Sequence, residues 1–210
     1  MPLIGYISVF SILLPFGAIC LIRPKEMPAA PEFAFIIYIT VAAITQWIQS
    51  AFAFQGMNNL WIAHFFIPIE FLLLAFCLWH FEPTYRTNMA AFILVAGSFI
   101  IYDQLFRSHL GSFSLPGLIT EGMALFILSV RVFYLAVVRT VSYKDEFHFW
   151  VSAGMLVYFG MNSLVYLFFN FAGWEGQFIL HSITNIFINI FFWRGYLCLV
   201  RRQRVASMLY

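Results

Sequence analysis

Long apolar stretches separated by short polar breaks dominate the pattern of hydrophobic and polar positions along this chain. Seven of these stretches reach the length of about 20 residues that a helix needs to cross a bilayer. They cover approximately residues 3–22, 33–53, 60–81, 88–106, 116–138, 147–170 and 177–200. No break is long enough to hold a soluble domain. The pattern predicts an all-α polytopic membrane protein in which residues 1–210 form one domain, a seven-transmembrane-helix bundle.

Composition excludes a soluble fold and narrows the range of partners. Hydrophobic residues make up 63% of the chain and charged residues only 10%, against roughly 25% charge in soluble domains. The lipid bilayer is therefore the first expected partner. A formal net charge of +2 is too small to indicate nucleic-acid binding, so no nucleic-acid partner is predicted.

The basic residues between the apolar segments are distributed unevenly, which predicts how the bundle is oriented. Odd-numbered connections and the C-terminal tail hold eight of them, whereas even-numbered connections hold only Arg107. The eight are Arg23, Lys25, Arg86, Arg139, Lys144, Arg201, Arg202 and Arg204. Because cytoplasmic loops are enriched in Lys and Arg, we expect the N-terminus outside and the C-terminus in the cytoplasm. The predicted location is the plasma membrane, which in a bacterium is the inner membrane.

The seventh segment carries polar side chains at a regular spacing. Four of them follow one another every four residues: Gln177, His181, Asn185 and Asn189. This spacing places them in a row along one face of a helix. Lipid does not tolerate such a row, so this face must contact protein or water. The sixth segment repeats the period with a mixed polar face formed by Gly154, Tyr158, Asn162, Tyr166 and Asn170.

Polar residues of other segments fall at a similar depth once the helices are oriented. With a rise of about 1.5 Å per residue, the outer half of the bundle receives Gln46, Gln49, His64, Asp103, Glu121, Asn170 and His181. Their convergence predicts a polar cavity open to the outside. The predicted ligand-binding residues are His64, Glu70, Asp103, Glu121, Asn162, His181, Asn185 and Asn189.

Two prolines and one acid set further expectations. Pro15 and Pro68 are candidate breaks in the first and third segments, because proline removes a helical hydrogen bond. Glu70 falls near the bilayer midplane, and Arg131 of the fifth segment is its predicted acid–base partner. Such a pair could act as a latch or a proton-sensitive switch.

Metal chemistry is the sharpest alternative that the polar residues allow. Residue types that bind zinc occur at similar depth in His64, Asp103, Glu121 and His181. They are scattered over four segments without a local His-x-x-x-His pair, and isolated groups of this kind more often form hydrogen bonds. No cofactor is therefore predicted, with zinc kept as an alternative. No catalytic residue is predicted, because nucleophile motifs and phosphate-binding glycine loops are absent from the sequence.

The last segment also separates the chain from two known classes of seven-helix protein. His181–Asn185 is similar to the stretch in which membrane hydrolases related to alkaline ceramidases and adiponectin receptors carry His-x-x-x-His. Asn185 stands where that pattern has its second histidine, which removes a metal ligand. Microbial rhodopsins bind retinal through a lysine in the last helix. Segment seven has no lysine, so a retinal Schiff base is excluded.

One stretch of the third segment resembles a pattern in small, uncharacterised seven-helix integral membrane proteins of bacteria. The stretch is Asn59–Phe71, with the sequence NLWIAHFFIPIEF. The resemblance implies that His64 and Glu70 belong to a shared site, and it brings no known activity.

Together these observations favour a ligand-sensing or partner-binding membrane module over an enzyme. We expect no output domain, so such a module would signal through a cytoplasmic or membrane partner or through a homo-oligomer. A proton-coupled small-solute transporter or channel that uses Glu70 and Glu121 is the alternative. A metal-dependent membrane lipid hydrolase is the second alternative.

Overall fold

The structure, a computed structural model, describes residues 3–22, 28–82, 84–112, 114–139, 143–167 and 174–206. Helices follow one another along the chain in this order: α1 Leu3–Ser11, α2 Leu13–Leu21, α3 Ala30–Phe54, α4 Leu60–Phe81, α5 Arg86–Tyr102, α6 Leu115–Arg139, α7 Phe147–Leu167 and α8 Trp174–Ala206. A π-helical turn, Asp103–Arg107, continues α5, and a 3₁₀ turn, Tyr143–Asp145, precedes α7.

The all-α prediction is confirmed for the described parts of the chain, where no strand occurs. Seven helices in these parts are long and apolar enough to cross a membrane, with α1 and α2 together forming the first. The predicted ends of the segments lie within about three residues of the observed helix ends, except that α8 continues past Val200 to Ala206. Residues 168–170 of the sixth predicted segment lie outside the described residues, as do Arg23 and Lys25.

Helices α1 and α2 meet at Ile12, where the first spanning segment is interrupted. Pro15 explains this position, because it has no N–H to donate to the carbonyl of Ser11 and its ring crowds that carbonyl. The Ser11 hydroxyl donates back to the carbonyl of Ser8 at 2.7 Å. The candidate break at Pro15 is therefore found one turn before the proline. By contrast, α4 continues through Pro68.

Aromatic side chains fill the centre of the bundle. Phe35 of α3 packs edge to face against Phe147 of α7 and Phe192 of α8, with ring centroids 5.1 Å apart in each pair. Phe71 of α4 is fully buried in the same core. Edge-to-face pairs of this kind contribute stability beyond the apolar area that they bury. The core therefore joins the early helices α3 and α4 to the late helices α7 and α8.

The π-helical turn at the end of α5 places Asp103 at the start of α6. Its carboxylate accepts hydrogen bonds from the hydroxyl of Ser114 and from the backbone N–H of Gly117, the latter at 2.9 Å. The contact with Gly117 satisfies one of the N–H groups that a helix start leaves free, and an acidic side chain at this position complements the helix dipole. A Cβ on Gly117 would lie 2.7 Å from the carboxylate, so a side chain there would displace Asp103 from this position.

Arg131 of α6 forms an ion pair with Glu82, which follows α4. The distance from Nε of Arg131 to Oε2 of Glu82 is 2.8 Å, and the Arg131 guanidinium also lies over the ring of Tyr85. The predicted pairing of Arg131 with Glu70 is therefore wrong. Burial raises the pKa of Glu82, but hydrogen bonds from the N–H of Thr84 and from Arg131 outweigh it and leave this pKa below its ordinary value.

Two ends of the bundle can be named from contacts between connections. At one end, the backbone carbonyl of Ser112 contacts His64 near the start of α4, and we call this the Asn59 end. At the other end, Arg139 donates to the Thr84 hydroxyl at 3.2 Å beside Glu82, and we call this the Glu82 end.

Gly154 of α7 is expected to be intolerant of a side chain. An added Cβ would lie 2.8 Å from the Cβ of Phe191 in α8, so Gly154→Ala should lower the free energy of unfolding by about 1–3 kcal/mol through overpacking. Thermal unfolding in detergent measures the loss. Gly17→Ala is the matched control, because a Cβ there meets nothing within 4 Å. Equal stability of the two variants would contradict the close approach of α7 and α8.

The ion pair at the Glu82 end predicts a pH dependence of stability. Because the pKa of Glu82 is lowered in the folded protein, its stabilisation is complete above the ordinary glutamate pKa of about 4.3 and is lost as the pH falls through the lower folded value. At pH 7, Glu82→Gln should therefore lower the free energy of unfolding by about 1–3 kcal/mol. The loss is measured as a lower melting temperature. The difference from the unaltered protein should begin to shrink below pH ~4 and should disappear only once the pH is below the lower folded pKa of Glu82.

A control for this prediction is Glu146→Gln, which removes a partner of Arg202 at 3.6 Å in an exposed ion pair. Such pairs contribute about 0–1 kcal/mol, so this variant should melt close to the unaltered protein. A deficit of Glu82→Gln that stays the same from pH 7 to the acid range would contradict the assignment.

Candidate functional site

A polar cavity of about 270 Å³, the main cavity, lies among five helices. Its lining residues come from α3, α4, α6, α7 and α8, with Asn59 at the start of α4. They are Gln46, Gln49, Asn59, Leu60, Ala63, Phe66, Ile67, Glu70, Leu118, Glu121, Gly122, Tyr158, Phe159, Asn162, Tyr166 and His181. Partly exposed Gln49 and Asn59 lie at the Asn59 end, and buried Glu70 lies about 16 Å further along α4 at 1.5 Å per residue.

A second, smaller cavity of about 60 Å³, the side cavity, adjoins the main one. It is lined by Ile12, Tyr38, Ala42, Thr45, Gln46, Gln49, Phe66, Glu70, Tyr158, Asn185, Ile188 and Asn189. Five residues line both cavities, and among them Glu70 is the only acid. Glu70 therefore separates a cavity toward α6 and α7 from one toward α1 and α8.

Glu70 is oriented by a tyrosine of the neighbouring helix. The hydroxyl of Tyr38 donates to Oε1 of Glu70 at 2.8 Å, and both side chains are buried. The bond ties α3 to α4 and leaves the second carboxyl oxygen of Glu70 free of this donor. The Glu70 carboxyl therefore has a fixed position on the cavity wall.

His181 and Asn162 form a linked pair on α8 and α7. The Oδ1 atom of Asn162 can only accept, so Nδ1 of His181 carries the hydrogen and donates to it at 3.0 Å. In the neutral ring this leaves Nε2 of His181 as an acceptor. The rings of Tyr158 and His181 also lie 5.9 Å apart between centroids. The predicted polar faces of the sixth and seventh segments therefore meet each other at this pair.

Among the described residues, two buried polar atoms on the wall of the main cavity have no hydrogen-bond partner. They are Oε1 of Glu121 and Nδ2 of Asn162, in side chains that are 4% and 3% exposed. A buried polar group without a partner costs about 1–3 kcal/mol. One of the atoms is an acceptor and the other a donor, so the cavity wall can bind a ligand that supplies both complementary groups.

The last two residues of the polar row of α8, Asn185 and Asn189, contact α1. Nδ2 of Asn185 donates to Oγ of Ser8 at 2.9 Å, and Nδ2 of Asn189 donates to Oγ of Ser11 at 2.7 Å. Both asparagines also line the side cavity. Together with His181, three of the four residues in the polar row of α8 therefore form interhelical hydrogen bonds.

The structure brings six of the eight predicted ligand-binding residues to the two cavities and places two elsewhere. Glu70, Glu121, Asn162 and His181 line the main cavity, while Asn185, Asn189 and again Glu70 line the side cavity. His64 is buried, and its Nε2 donates to the carbonyl of Ser112 at 2.8 Å. Asp103 caps α6. Asn170 and the side chain of Gln177 lie outside the described residues.

The four candidate zinc ligands do not converge. Glu121 and His181 line the main cavity, whereas His64 and Asp103 line neither cavity. In the part of the chain that the structure describes, no group of three His, Cys, Asp or Glu residues could hold a metal ion. Similar depth along the helices therefore did not bring these four side chains to one site.

Sequence reasoning placed Gln46 and Gln49 of the second segment at the predicted cavity but missed the rest of that helix face, although a signal was present. One face of α3 lines the side cavity through Tyr38, Ala42, Thr45, Gln46 and Gln49. Their spacing of four, three, one and three residues is that of a single helix face. The signal was weak because Tyr38 and Ala42 are apolar in a hydropathy count, so the row reads as polar only at its end.

By its length and composition of apolar helices, the chain belongs to the class of multi-pass membrane proteins with a helical bundle. No protein-family model, curated protein or solved structure matches it. Its function is therefore argued from the chemistry of the main and side cavities.

The main cavity is expected to admit water-soluble reagents. In a Cys20→Ala background, Ala63→Cys should be labelled rapidly by a small methanethiosulfonate reagent, because Ala63 lines the main cavity. Ala43→Cys is the control, since Ala43 is 3% exposed and lines neither cavity. Labelling is measured as a mass increase of the intact protein. Equal labelling rates for the two variants would contradict a solvent-accessible cavity.

Proposed function

We propose that this chain binds a small polar ligand in the main cavity and acts as a ligand-sensing or partner-binding module of the membrane. The observation that carries the proposal is the pair of unpartnered buried atoms, Oε1 of Glu121 and Nδ2 of Asn162, on one cavity wall. A ligand that pairs with both atoms offsets the cost of burying them.

The size of the main cavity limits the ligand. Pockets for drug-sized molecules occupy about 300–1,000 Å³, and this cavity occupies about 270 Å³. Its wall combines apolar side chains such as Leu118 and Ile67 with a few polar groups, which is the usual composition of a small-molecule site. The ligand is therefore a small metabolite or ion rather than a peptide or a whole lipid.

The charge distribution supports an orientation for this module. The Glu82 end carries Arg86 and Arg139. In the connection that follows Arg139, Asp145 lies 4.0 Å from Arg201 of α8, measured between Oδ1 and Nη1. Under the positive-inside rule this end faces the cytoplasm and the main cavity opens outward. The membrane is then the plasma membrane, in a bacterium the inner one.

Signal output requires a partner in this proposal. The basic Glu82 end is the surface for a cytoplasmic or membrane signalling protein, or for a second copy of the chain. Ligand contacts with α6, α7 and α8 bias the packing of these helices, and the Arg131–Glu82 pair joins α6 to the connection after α4 at the opposite end. A change at the cavity can therefore reach the Glu82 end through α6.

Transport is the second candidate, and the position of Glu70 favours it. Glu70 lines both cavities, so one carboxyl group lies between two spaces that contain polar side chains. A proton or solute that passes from one cavity to the other would contact this carboxyl. Uptake of the bound compound into proteoliposomes, with loss in Glu70→Gln, would assign transport, whereas binding without uptake would assign sensing.

Binding is tested with a thermal-shift panel of small cationic, neutral and anionic polar compounds. At a concentration 100 times its Kd, a ligand stabilises the folded protein by about 2.7 kcal/mol. At least one compound should raise the melting temperature of the unaltered protein but not of Asn162→Leu, which keeps the side-chain volume and removes both polar atoms. Glu32→Gln is the control, because Glu32 caps α3 outside both cavities. A panel whose shifts are equal in Asn162→Leu would contradict the proposed site.

A further inference from the structure

Resting on the proposed function, we infer that the ligand of the main cavity is a small protonated primary amine whose ammonium group lies between the carboxyl groups of Glu70 and Glu121. Three observations carry this inference. They are the charge of the lining groups, the hydrogen-bonding capacity that they leave unused, and the aromatic rings among them.

The acidic side chains of the main cavity favour a cationic ligand. Among its described lining residues, Glu70 and Glu121 are carboxylic acids and none is Lys or Arg. A bound cation stabilises the ionised form of a neighbouring carboxyl group, whereas an ionised carboxyl group repels a bound anion.

The unpartnered acceptor in the main cavity favours a cation with N–H donors. Oε1 of Glu121 has no partner, and Nε2 of neutral His181 is an acceptor because Nδ1 donates to Asn162. A primary ammonium group carries three N–H donors, whereas a quaternary ammonium carries none. Charge-assisted hydrogen bonds to carboxylates are among the stronger ones in proteins. The acceptor set therefore selects primary over quaternary amines.

Tyr38 is a positioning residue for this site. Its hydroxyl donates to Oε1 of Glu70 at 2.8 Å and so fixes the direction of the carboxyl. Tyr38 lines the side cavity but not the main one, so it acts on a ligand in the main cavity only through Glu70.

Aromatic lining and free volume favour an organic cation over a metal ion. Phe66, Tyr158, Phe159 and Tyr166 line the main cavity, and aromatic faces attract ammonium groups. Zinc takes about four protein ligands in structural sites and calcium six to eight, but no described group of three His, Cys, Asp or Glu residues occurs. A space of about 270 Å³ accommodates a short carbon chain beside the ammonium group.

The test compares four probes of similar size on protein purified in a detergent without amine groups. The probes are propylammonium, tetramethylammonium, 1-propanol and propionate, at equal ionic strength and neutral pH. Isothermal titration should show binding of propylammonium, much weaker binding of tetramethylammonium, and no binding of 1-propanol or propionate. Glu121→Gln keeps the side-chain shape and should weaken propylammonium binding about tenfold or more, as truncation of a buried charge pair does.

Further variants separate a binding role from loss of the fold. Tyr38→Phe should weaken propylammonium binding less than Glu121→Gln, and Glu32→Gln should bind like the unaltered protein. Melting temperatures report whether each variant is folded. If Glu121→Gln is unfolded, Tyr38→Phe and the probe series decide the question, because the unaltered protein alone must discriminate among the four probes.

Three results would overturn the inference. They are binding of propionate or 1-propanol as tight as that of propylammonium, unchanged propylammonium affinity in folded Glu121→Gln, and absence of propylammonium binding. The proposed function survives each of them if another compound of the panel binds in a way that depends on Asn162. It fails together with the inference only if no compound binds in that way.

Discussion

Buried polar groups in an apolar bundle must find partners within the protein, and the arrangement of these helices depends on how each group is satisfied. Some partners are local: the hydroxyls of Ser129 and Ser163 donate to carbonyls one turn earlier in their own helices. Other partners join separate helices, as Tyr38 joins α3 to α4 through Glu70. Polar contacts therefore fix which faces of the helices meet, while apolar packing supplies most of the burial.

The first and last helices illustrate how this constraint produces tertiary contacts. The interruption at Ile12 follows from Pro15, and it lies beside the two serines that α8 uses. Ser8 and Ser11 accept hydrogen bonds from Asn185 and Asn189 of α8. The hydrogen-bonding groups of these two asparagines are thereby satisfied by the interrupted first helix. These bonds hold α1 and α8 together.

The main cavity is one of the places in the described part of the chain where the constraint is not met, and there two such atoms line a common space. Glu121 and Asn162 are buried as deeply as the satisfied polar residues, yet each keeps an atom without a partner. Native interiors rarely leave such atoms unpaired without a functional reason. The same residues line one cavity together with Glu70 and His181. What distinguishes Glu121 and Asn162 is that their unpartnered atoms line a cavity, and this is the basis of the proposed recognition site.

The sequence by itself determined the seven apolar helices, the break near Pro15 and the polar faces of the last two segments, because helix length and period depend on local residue order. It also placed Glu70, Glu121, Asn162 and His181 at one site. Only the tertiary structure decided that Asp103 caps α6 and that Arg131 pairs with Glu82. Depth along a helix can be counted from the sequence, but the direction in which a helix faces depends on its neighbours. Contacts between distant residues, which no local spacing encodes, set that direction.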